Sequence, residues 1–246
     1  MSERRRQPRI GAMTPLFQSV LAVHIAAGAV AVSVFWVPLV VKKGGRTHRG
    51  VGWVYVAAAA TLAVTGALEC IRLMSDGNPR RWRAGIFLAY VGLLAAASTQ
   101  LGVRALLTKR RVGPSRSPID LVPPLLLVTG GIALAAFGVG QSAILYVLFA
   151  ALGASLGAAH LRFWLTPPVH GREWFLAHMS GMGTSCITTI TALFVVNARH
   201  LGMRTFDLGL WAGPISVLAV GLTIWRRHYA KRFAADGARG GAPRAE

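Results

Sequence analysis

The first long apolar stretch of the chain, residues 15–41, reads PLFQSVLAVHIAAGAVAVSVFWVPLVV. It contains no Asp, Glu, Lys or Arg, and its only ionisable side chain is that of His24. A helix needs about 20 apolar residues to cross the hydrocarbon core of a bilayer, so this stretch is long enough to span one. It is too long for the core of a signal peptide and no cleavage pattern follows it, which predicts a retained span.

Six further stretches of the same kind follow along the chain. We predict seven membrane spans, at residues 15–41, 50–71, 84–107, 121–140, 143–165, 175–196 and 208–225. Only residues 138–142 divide the fourth span from the fifth, and we interpret them as a tight hairpin because an unbroken run would far exceed one crossing. The predicted fold class is therefore all-α, a polytopic transmembrane bundle in residues 14–231. Residues 1–13 and 232–246 are predicted to be disordered basic tails.

Composition supports the same class and excludes others. Hydrophobic residues make up 54% of the chain, charged residues 14%, and the mean hydropathy is +0.51, outside the usual range of soluble domains. The 27 Lys and Arg outnumber the 8 acids and lie mostly between the apolar runs, which suits anionic lipid head groups of a bilayer and makes a nucleic-acid partner unnecessary. The sequence has no phosphate-binding glycine loop, paired catalytic carboxylates or zinc-type Cys and His spacing, so hydrolytic and nucleotide-driven enzymes are disfavoured and no metal site is predicted.

The distribution of Lys and Arg indicates an orientation. Ten of these residues lie in the N-terminal tail and in the loops on its side of the membrane, and the other 17 lie on the opposite side. The positive-inside rule then predicts the N-terminus outside and the C-terminus in the cytoplasm. The opposite orientation, with the N-terminus in the cytoplasm, is favoured by the arginines beside the first span, Arg4, Arg5 and Arg6.

Three histidines lie inside the predicted spans, where an ionisable side chain is by default a candidate for function. At a rise of about 1.5 Å per residue, His160 and His178 lie at a similar depth near the predicted cytoplasmic face. His48, at the mouth of the second span, is close to that level. His24 lies in the other half of the bundle without a partner at its depth.

One hypothesis that fits these depths is an electron-transfer or quinone-linked membrane protein that holds a haem b between His178 and either His160 or His48. Met182, one turn after His178, is an alternative soft ligand. Basic residues available for the haem propionates are Arg49, Arg162 and Arg172. The alternative is that each histidine only forms a hydrogen bond across a helix interface, and for a lone intramembrane histidine the sequence favours this alternative.

Two other kinds of function stay open. His24, Glu69 and the hydroxyl groups of the sixth span are candidates to line a path for a small solute or protons, as in a small transporter or channel. Glu69 is followed three residues later by Arg72, which predicts an ion pair near the membrane surface. A purely structural role in the membrane is the third possibility.

Two stretches resemble a known family. VHIAAG at 23–28, KKGGRTHRG at 42–50 and GWVY at 52–55 resemble the N-terminal signature of the bacterial membrane proteins grouped as domain of unknown function 2306, and WFLAHM at 174–179 with TALFVVN at 191–197 resembles its penultimate helix. The resemblance covers most of residues 20–230. It implies a compact helical bundle in a bacterial inner membrane with His24, His48 and His178 at motif positions, and it assigns no activity. It favours His48 with His178 as a ligand pair over His160 with His178.

Overall fold

Helices account for the regular structure of the chain. The structure, a computed structural model, describes residues 14–169, 171–198, 200 and 202–240, and of residues 236–240 only the backbone. Its helices are α1 (Pro15–Val34), α2 (Val37–Val40), α3 (Arg46–Ser75), α4 (Pro79–Leu107), α5 (Pro118–Gly140), α6 (Ile144–Leu165), α7 (Glu173–Val196) and α8 (Leu208–Gly240), and the described residues form no β-strand.

Among the described residues, seven segments are long and apolar enough to cross a membrane: α1 together with α2, and each of α3 to α8. The predicted all-α bundle of seven spans is therefore confirmed, and the chain is a multi-pass integral membrane protein. The tight hairpin predicted at 138–142 is also confirmed, because α5 ends at Gly140 and the amide of Ala143 donates to the Gly138 carbonyl over 2.8 Å. Ser142 in this turn has a left-handed φ of 51°.

Several helices extend beyond the predicted spans, and α3 and α8 extend into segments that matter for the rest of the bundle. α3 begins at Arg46, after a turn in which Gly44 has a φ of 73°, so His48 lies in the first turn of a helix. α8 continues to Gly240, inside the range 232–246 that composition predicts as a disordered tail. Both extensions are polar, and apolar content alone gives no signal for helix that lies beyond the hydrocarbon core. Residues 1–13 and 241–246 lie outside the described residues.

The helix α4 lies at the centre of the bundle. It packs against α3, α5 and α7, while α5 pairs with α6, α1 with α3, and α7 with α8. Half of the most apolar stretch of α4 is buried inside the protein, compared with 6% for the first span. A core of aromatic rings fills one end of the α4, α5 and α6 group, where Phe87 contacts Tyr146, Phe149 and Trp211 with ring centres 4.8–5.1 Å apart.

Glycines set the close approaches between helices. A Cβ atom on Gly157 of α6 would lie 2.8 Å from the Pro124 carbonyl oxygen of α5, and one on Gly181 of α7 would lie 2.6 Å from the Gly102 nitrogen of α4. Small residues allow backbones to approach in this way, and such contacts replace the hydrophobic driving force that is missing between helices in lipid. At Gly157 and Gly181 the space that a side chain would need is filled by helix backbone.

Candidate functional site

Polar side chains on α3 and α7 recur at the same spacing and face each other. His48 and Tyr55 of α3 are seven residues apart, as are His178 and Ser185 of α7. Seven residues correspond to about two helical turns, so each pair shares one face of its helix. The two faces meet between α3, α4 and α7, with the histidines at one level and the hydroxyl groups two turns further into the bundle.

The structure brings His48 and His178 together. Their ring centres are 6.4 Å apart and the ring planes are inclined by 66°. His48 lies in the first turn of α3 and His178 in the second turn of α7, so both are near the same end of the bundle. The prediction that they share a level is confirmed, while their role as ligands stays a prediction.

Each of these two rings is held by a backbone carbonyl. Nδ1 of His48 lies 3.1 Å from the Pro38 oxygen, and Nδ1 of His178 lies 2.9 Å from the Gly102 oxygen. A carbonyl oxygen only accepts, so Nδ1 carries the hydrogen in both rings, and Nε2 of a neutral ring keeps a free lone pair. Histidines that bind metals are usually held in this manner by a second hydrogen bond. The arrangement therefore presents two imidazole nitrogens as potential ligands.

The partner of His48 is the end of the short helix α2. Lys43 also donates from Nζ to the carbonyl oxygens of Pro38 and Leu39, so two side chains satisfy carbonyls that a helix end leaves free. The Lys43 ammonium group lies 4.8 Å from the centre of the Trp225 ring of α8. Partial burial lowers the pKa of Lys43 from its ordinary value. The α2–α3 turn is thus fixed to α8 beside the histidine pair.

The partner of His178 depends on the contact between α4 and α7. Gly102 and Gly181 touch with no room for a side chain, which brings the Gly102 carbonyl within reach of His178. Met182, predicted as an alternative ligand, packs its thioether on Gly102 instead. On the α3 side there is room for a side chain, because a Cβ on Gly52, one turn after His48, would meet nothing within 4 Å. Space beside the histidine pair is therefore closed toward α4 and open beside Gly52.

Two of the three basic residues predicted to contact propionates, Arg49 and Arg172, flank this pair, whereas Arg162 is on α6, which packs on α5. Arg49 directly follows His48 and is exposed. Arg172 precedes α7, and its guanidinium group lies 4.8 Å from the centre of the Phe233 ring of α8. Both lie at the end of the bundle where the histidine pair is found.

His160 does not belong to this site. It is buried on α6, which packs on α5 and more lightly on α4, whereas α7 packs on the other side of α4. In the part of the chain that the structure describes, no ring contact or hydrogen bond joins His160 to His178. Its depth was predicted to match that of His178, but α4 stands between the two helices.

A network of hydroxyl groups lies deeper between α3, α4 and α7. The Tyr55 hydroxyl is 2.7 Å from Ser185 Oγ and 3.1 Å from Thr189 Oγ1, and Ser185 Oγ is 2.7 Å from Thr99 Oγ1. Thr99 donates its hydrogen to the Ala95 carbonyl over 2.9 Å, so Ser185 donates to Thr99 and Tyr55 donates to Ser185. This chain of hydrogen bonds is complete and holds three helices in register.

His24 and Glu69 lie in the other half of the bundle, as predicted. Nδ1 of His24 is 2.9 Å from Thr65 Oγ1 of α3, and the ring rests on Gly66. Glu69 is paired with Arg72 through a 2.8 Å contact between Oε2 and Nε, which confirms the predicted ion pair. These residues are distant in sequence and in depth from His48 and His178.

A second acid inside the spans was not predicted from the sequence. Asp120, in the first turn of α5, is fully buried and accepts two hydrogen bonds from Arg104 of α4, at 2.7 and 3.0 Å, and one from Ser115 at 2.7 Å. The signal that could have found it is Ser117-Pro118-Ile119-Asp120, a Ser at the N-cap with Pro at the first helical position and an acid at the third.

Arg111, in the loop between α4 and α5, was counted only as a surface charge. Its guanidinium group donates to the carbonyl oxygens of Phe163 and Thr166 over 2.8 Å each and so caps the C-terminal end of α6. Burial lowers the pKa of Arg111 from its ordinary value. The loop is thereby tied to α6 as well as to α4, and it belongs to the stable part of the bundle.

Comparison with known proteins finds no family model, curated protein or solved structure that matches this chain. The resemblance to domain of unknown function 2306 therefore stays a prediction. Within residues 14–169, 171–198, 200 and 202–240, no three or more His, Cys, Asp or Glu side chains are grouped so that they could hold a metal ion. The arrangement that the structure offers is a pair of imidazoles.

Proposed function

We propose that this protein is an electron-transfer protein of the bacterial inner membrane that holds one haem b between His48 and His178. The observation that carries the proposal is the pairing of two imidazole rings, each fixed through Nδ1 to a backbone carbonyl and each left with a free Nε2. The same two histidines occupy motif positions in the resemblance to domain of unknown function 2306, and we include membership of that family in the proposal.

The separation of the rings fits this use. A metal ion held between the two imidazole nitrogens, at bond lengths of about 2.0–2.1 Å, would require ring centres roughly 6–6.5 Å apart. The observed distance is 6.4 Å. The angle of 66° between the planes is compatible, because each ring can rotate about its own bond to the metal. The open space beside Gly52 provides clearance for a flat macrocycle, and the contact of Gly102 with Gly181 excludes it from the α4 side.

Each residue has a distinct part in this proposal. His48 and His178 would hold the haem iron through their free ring nitrogens, and the Pro38 and Gly102 carbonyls orient the two rings and increase their basicity. Arg49 and Arg172 lie at the same end of the bundle and carry the charge that propionates need. A bis-histidine haem iron supplies one-electron oxidation and reduction.

The orientation that accompanies this proposal places the N-terminus outside and the C-terminus in the cytoplasm. It is supported by the excess of Lys and Arg, 17 against ten, on the side of the α2–α3, α4–α5 and α6–α7 loops. The histidine pair lies near these loops, so the haem site would face the cytoplasm.

The transport hypothesis has less support. Thr188, Thr189 and Thr191 of α7 donate to carbonyl oxygens of their own helix, which is the usual state of such hydroxyls in the absence of a polar path. An apolar cluster that includes Ala31 and Ala58 lies beside Tyr55 on the way to His24. The polar groups named for that hypothesis therefore form separate clusters rather than one path.

An absorption spectrum tests the proposal. The full chain, purified from cells supplied with haem, is expected to show a Soret band, and His48→Gln and His178→Gln are each expected to remove it. His160→Gln is the matched control, because His160 is a buried histidine of α6 that the proposal does not use. A wild-type protein without a Soret band, or an equal loss in the His160 variant, would contradict the proposal.

A second pair of variants tests where the macrocycle lies. Gly52→Leu fills the open space one turn after His48 and is expected to abolish the Soret band while the protein still elutes as a folded species. Gly92→Leu in α4 is the control, because a side chain there also meets nothing within 4 Å but lies far from the histidine pair. If Gly52→Leu retains the band at full intensity, the macrocycle does not lie beside α3.

A further inference from the structure

The half of the bundle next to the N-terminal end of α1 holds a second polar cluster, formed by His24, Thr65 and Glu69. α1 and α3 pack together along their length, and the His24 ring lies against α3 where a Cβ on Gly66 would be 3.4 Å from Cε1. Glu69 is one turn further along α3 than Thr65, on the same face. We call these three residues the α1–α3 cluster.

Hydrogen-bond directions within the α1–α3 cluster can be assigned. Thr65 Oγ1 lies 2.7 Å from the Thr61 carbonyl oxygen, and a carbonyl only accepts, so the Thr65 hydroxyl donates its single hydrogen there. The 2.9 Å bond between His24 Nδ1 and Thr65 Oγ1 therefore has Nδ1 as donor. A neutral His24 ring is left with a lone pair on Nε2.

Glu69 has a free oxygen in the same cluster. Its Oε2 accepts from Arg72 Nε over 2.8 Å, but Oε1 is shielded from solvent and has no hydrogen-bond partner among the residues that the structure describes. An ionised carboxylate oxygen can only accept, and leaving it buried without a donor is unfavourable. Binding a proton at this oxygen would remove the cost. Glu69 follows Thr65 by four residues, so it lies on the face of α3 that holds the His24 ring.

The α1–α3 cluster is closed toward the middle of the bundle. Leu62, one turn from Thr65 toward the opposite membrane face, packs on Gly28 of α1, with 3.8 Å from its Cδ2 to the position of a Cβ on that glycine. Beyond Leu62 lie Ala31, Ala58 and Cys186, which form an apolar cluster with it. A proton would therefore reach the cluster from the N-terminal end of α1 and not through the Tyr55 network.

Few other charged or titratable groups surround the pair. On α1, His24 is the only titratable residue, and on α3 the neighbours of Glu69 are Cys70 and Arg72. α4 packs against this part of α3 through Gly85, which meets Cys70.

The first turns of α4 bring the remaining charges near this end of α3. They contribute Arg80, Arg81 and Arg83, and Arg81 is paired with Asp76 over 2.7 Å. Near this end of α1 and α3, the described residues thus contain two titratable groups with an unused acceptor atom inside the bundle. These atoms are Oε1 of Glu69 and Nε2 of His24.

We propose that His24 and Glu69 form a proton-binding site, in which one proton is shared between the free carboxylate oxygen of Glu69 and the free ring nitrogen of His24. The site lies in the opposite half of the membrane from His48 and His178 and does not depend on a haem. Thr65 positions the imidazole, Gly66 gives it room, and Arg72 holds the other carboxylate oxygen. The ligand is a proton taken from the aqueous phase next to the start of α1.

Infrared spectroscopy of the purified full chain in lipid nanodiscs tests this proposal. As the pH is lowered, the wild-type protein is expected to develop the carbonyl stretch of a protonated, water-shielded carboxyl group, and Glu69→Gln is expected to lack it. His24→Gln retains a hydrogen-bonding side chain that does not titrate, and it is expected to shift the midpoint of the band by at least about tenfold in proton concentration, one pH unit. Asp76→Asn is the matched control, an acid also paired with an arginine but exposed, and it is expected to leave the band unchanged.

Two results would overturn the proposal. A wild-type protein in which no shielded carboxyl group titrates would show that Glu69 is a fixed negative charge paired with Arg72. A band that titrates identically in the His24→Gln variant would show that the two residues do not share a proton. Thr65→Val removes the hydroxyl group that holds the imidazole, at nearly constant side-chain volume. It serves as a second variant if His24→Gln fails to fold, and it is also expected to shift the midpoint of the band.

Discussion

In the α4, α5 and α6 half of the bundle and in the α1, α3 and α7 half, the two buried carboxylates are satisfied to different extents. In the first half, both oxygens of the buried Asp120 carboxylate accept hydrogen bonds from Arg104 and one also from Ser115. In the second half, Glu69 keeps one oxygen without a donor in the described structure. A fully satisfied polar group contributes to a fixed structure, whereas a free acceptor inside a membrane protein is available to bind something.

Tyr90 and the histidine pair show a similar contrast. Tyr90 of α4 donates to the Leu127 carbonyl of α5 over 2.9 Å and fills the gap at the glycine contacts. His48 and His178 each use one ring nitrogen for a backbone carbonyl and keep the other. The comparison indicates that α4 to α6 form the stable frame, against which α3 and α7 position groups with unused binding capacity.

The largest expected effect comes from breaking the ion pair of the stable frame. Asp120→Asn leaves the Arg104 guanidinium without its charge partner, and removing one member of a buried pair lowers the free energy of unfolding by about 3–5 kcal/mol. Thermal or denaturant unfolding of the protein in detergent measures this loss. Asp76→Asn breaks the exposed pair with Arg81 and is expected to cause no measurable change, so equal losses in the two variants would remove the distinction between the halves.

A smaller loss of stability is expected at the contact between α4 and α7, which joins the α4, α5 and α6 half of the bundle to the α1, α3 and α7 half. Gly181→Ala places a Cβ 2.6 Å from backbone atoms of α4, which forces α7 away and lowers the free energy of unfolding by about 1–3 kcal/mol. It also separates His178 from the Gly102 carbonyl, so any absorbance due to a bound haem should weaken in parallel. Gly213→Ala in α8 is the control, since its Cβ meets nothing within 4 Å and should preserve stability. Unchanged stability in Gly181→Ala would mean that α7 can shift freely.

The smallest effect is expected within the hydroxyl network. Tyr55→Phe removes the donor to Ser185, and side-chain hydrogen bonds between membrane helices contribute about 0.6 kcal/mol on average and at most about 1.7. Unfolding of the Tyr55→Phe protein in detergent measures this loss of stability, and Tyr229→Phe is the control. Tyr229 makes ring contacts with Phe175 and Phe233, and no hydrogen bond of its hydroxyl is found in the described residues. An equal or larger loss for Tyr229→Phe would show that the hydrogen bonds of Tyr55 contribute nothing beyond the loss of a hydroxyl group.

The spans could be predicted from the sequence because crossing a bilayer requires a length and an apolar content that a single chain displays directly. The Glu69–Arg72 pair could be predicted for a similar reason, since residues three apart on one helix are neighbours. The Asp120–Arg104 pair could not, because its partners are on different helices joined by a loop. No local spacing identifies them as neighbours.

The histidine site was predicted only in part, and the reason is geometric. Depth along each helix follows from residue number, so His48, His160 and His178 could be assigned a common level. Lateral order does not follow from hydropathy, and only the structure shows that α4 separates α6 from α7. The signal that distinguished His48 from His160 was the resemblance to a family motif.

The turn between α5 and α6 bears on how the chain enters the membrane. Gln141 and Ser142 join two helices that already meet through Gly131, Gly153 and Gly157, and neither turn residue is charged. A helical hairpin of this kind can cross the bilayer as one preassembled unit, because its tip carries no charge that must be dehydrated on the way. Biogenesis of the protein would then proceed by adding this hairpin to α4 in a single insertion event. A lysine introduced at Gln141 would hinder that event.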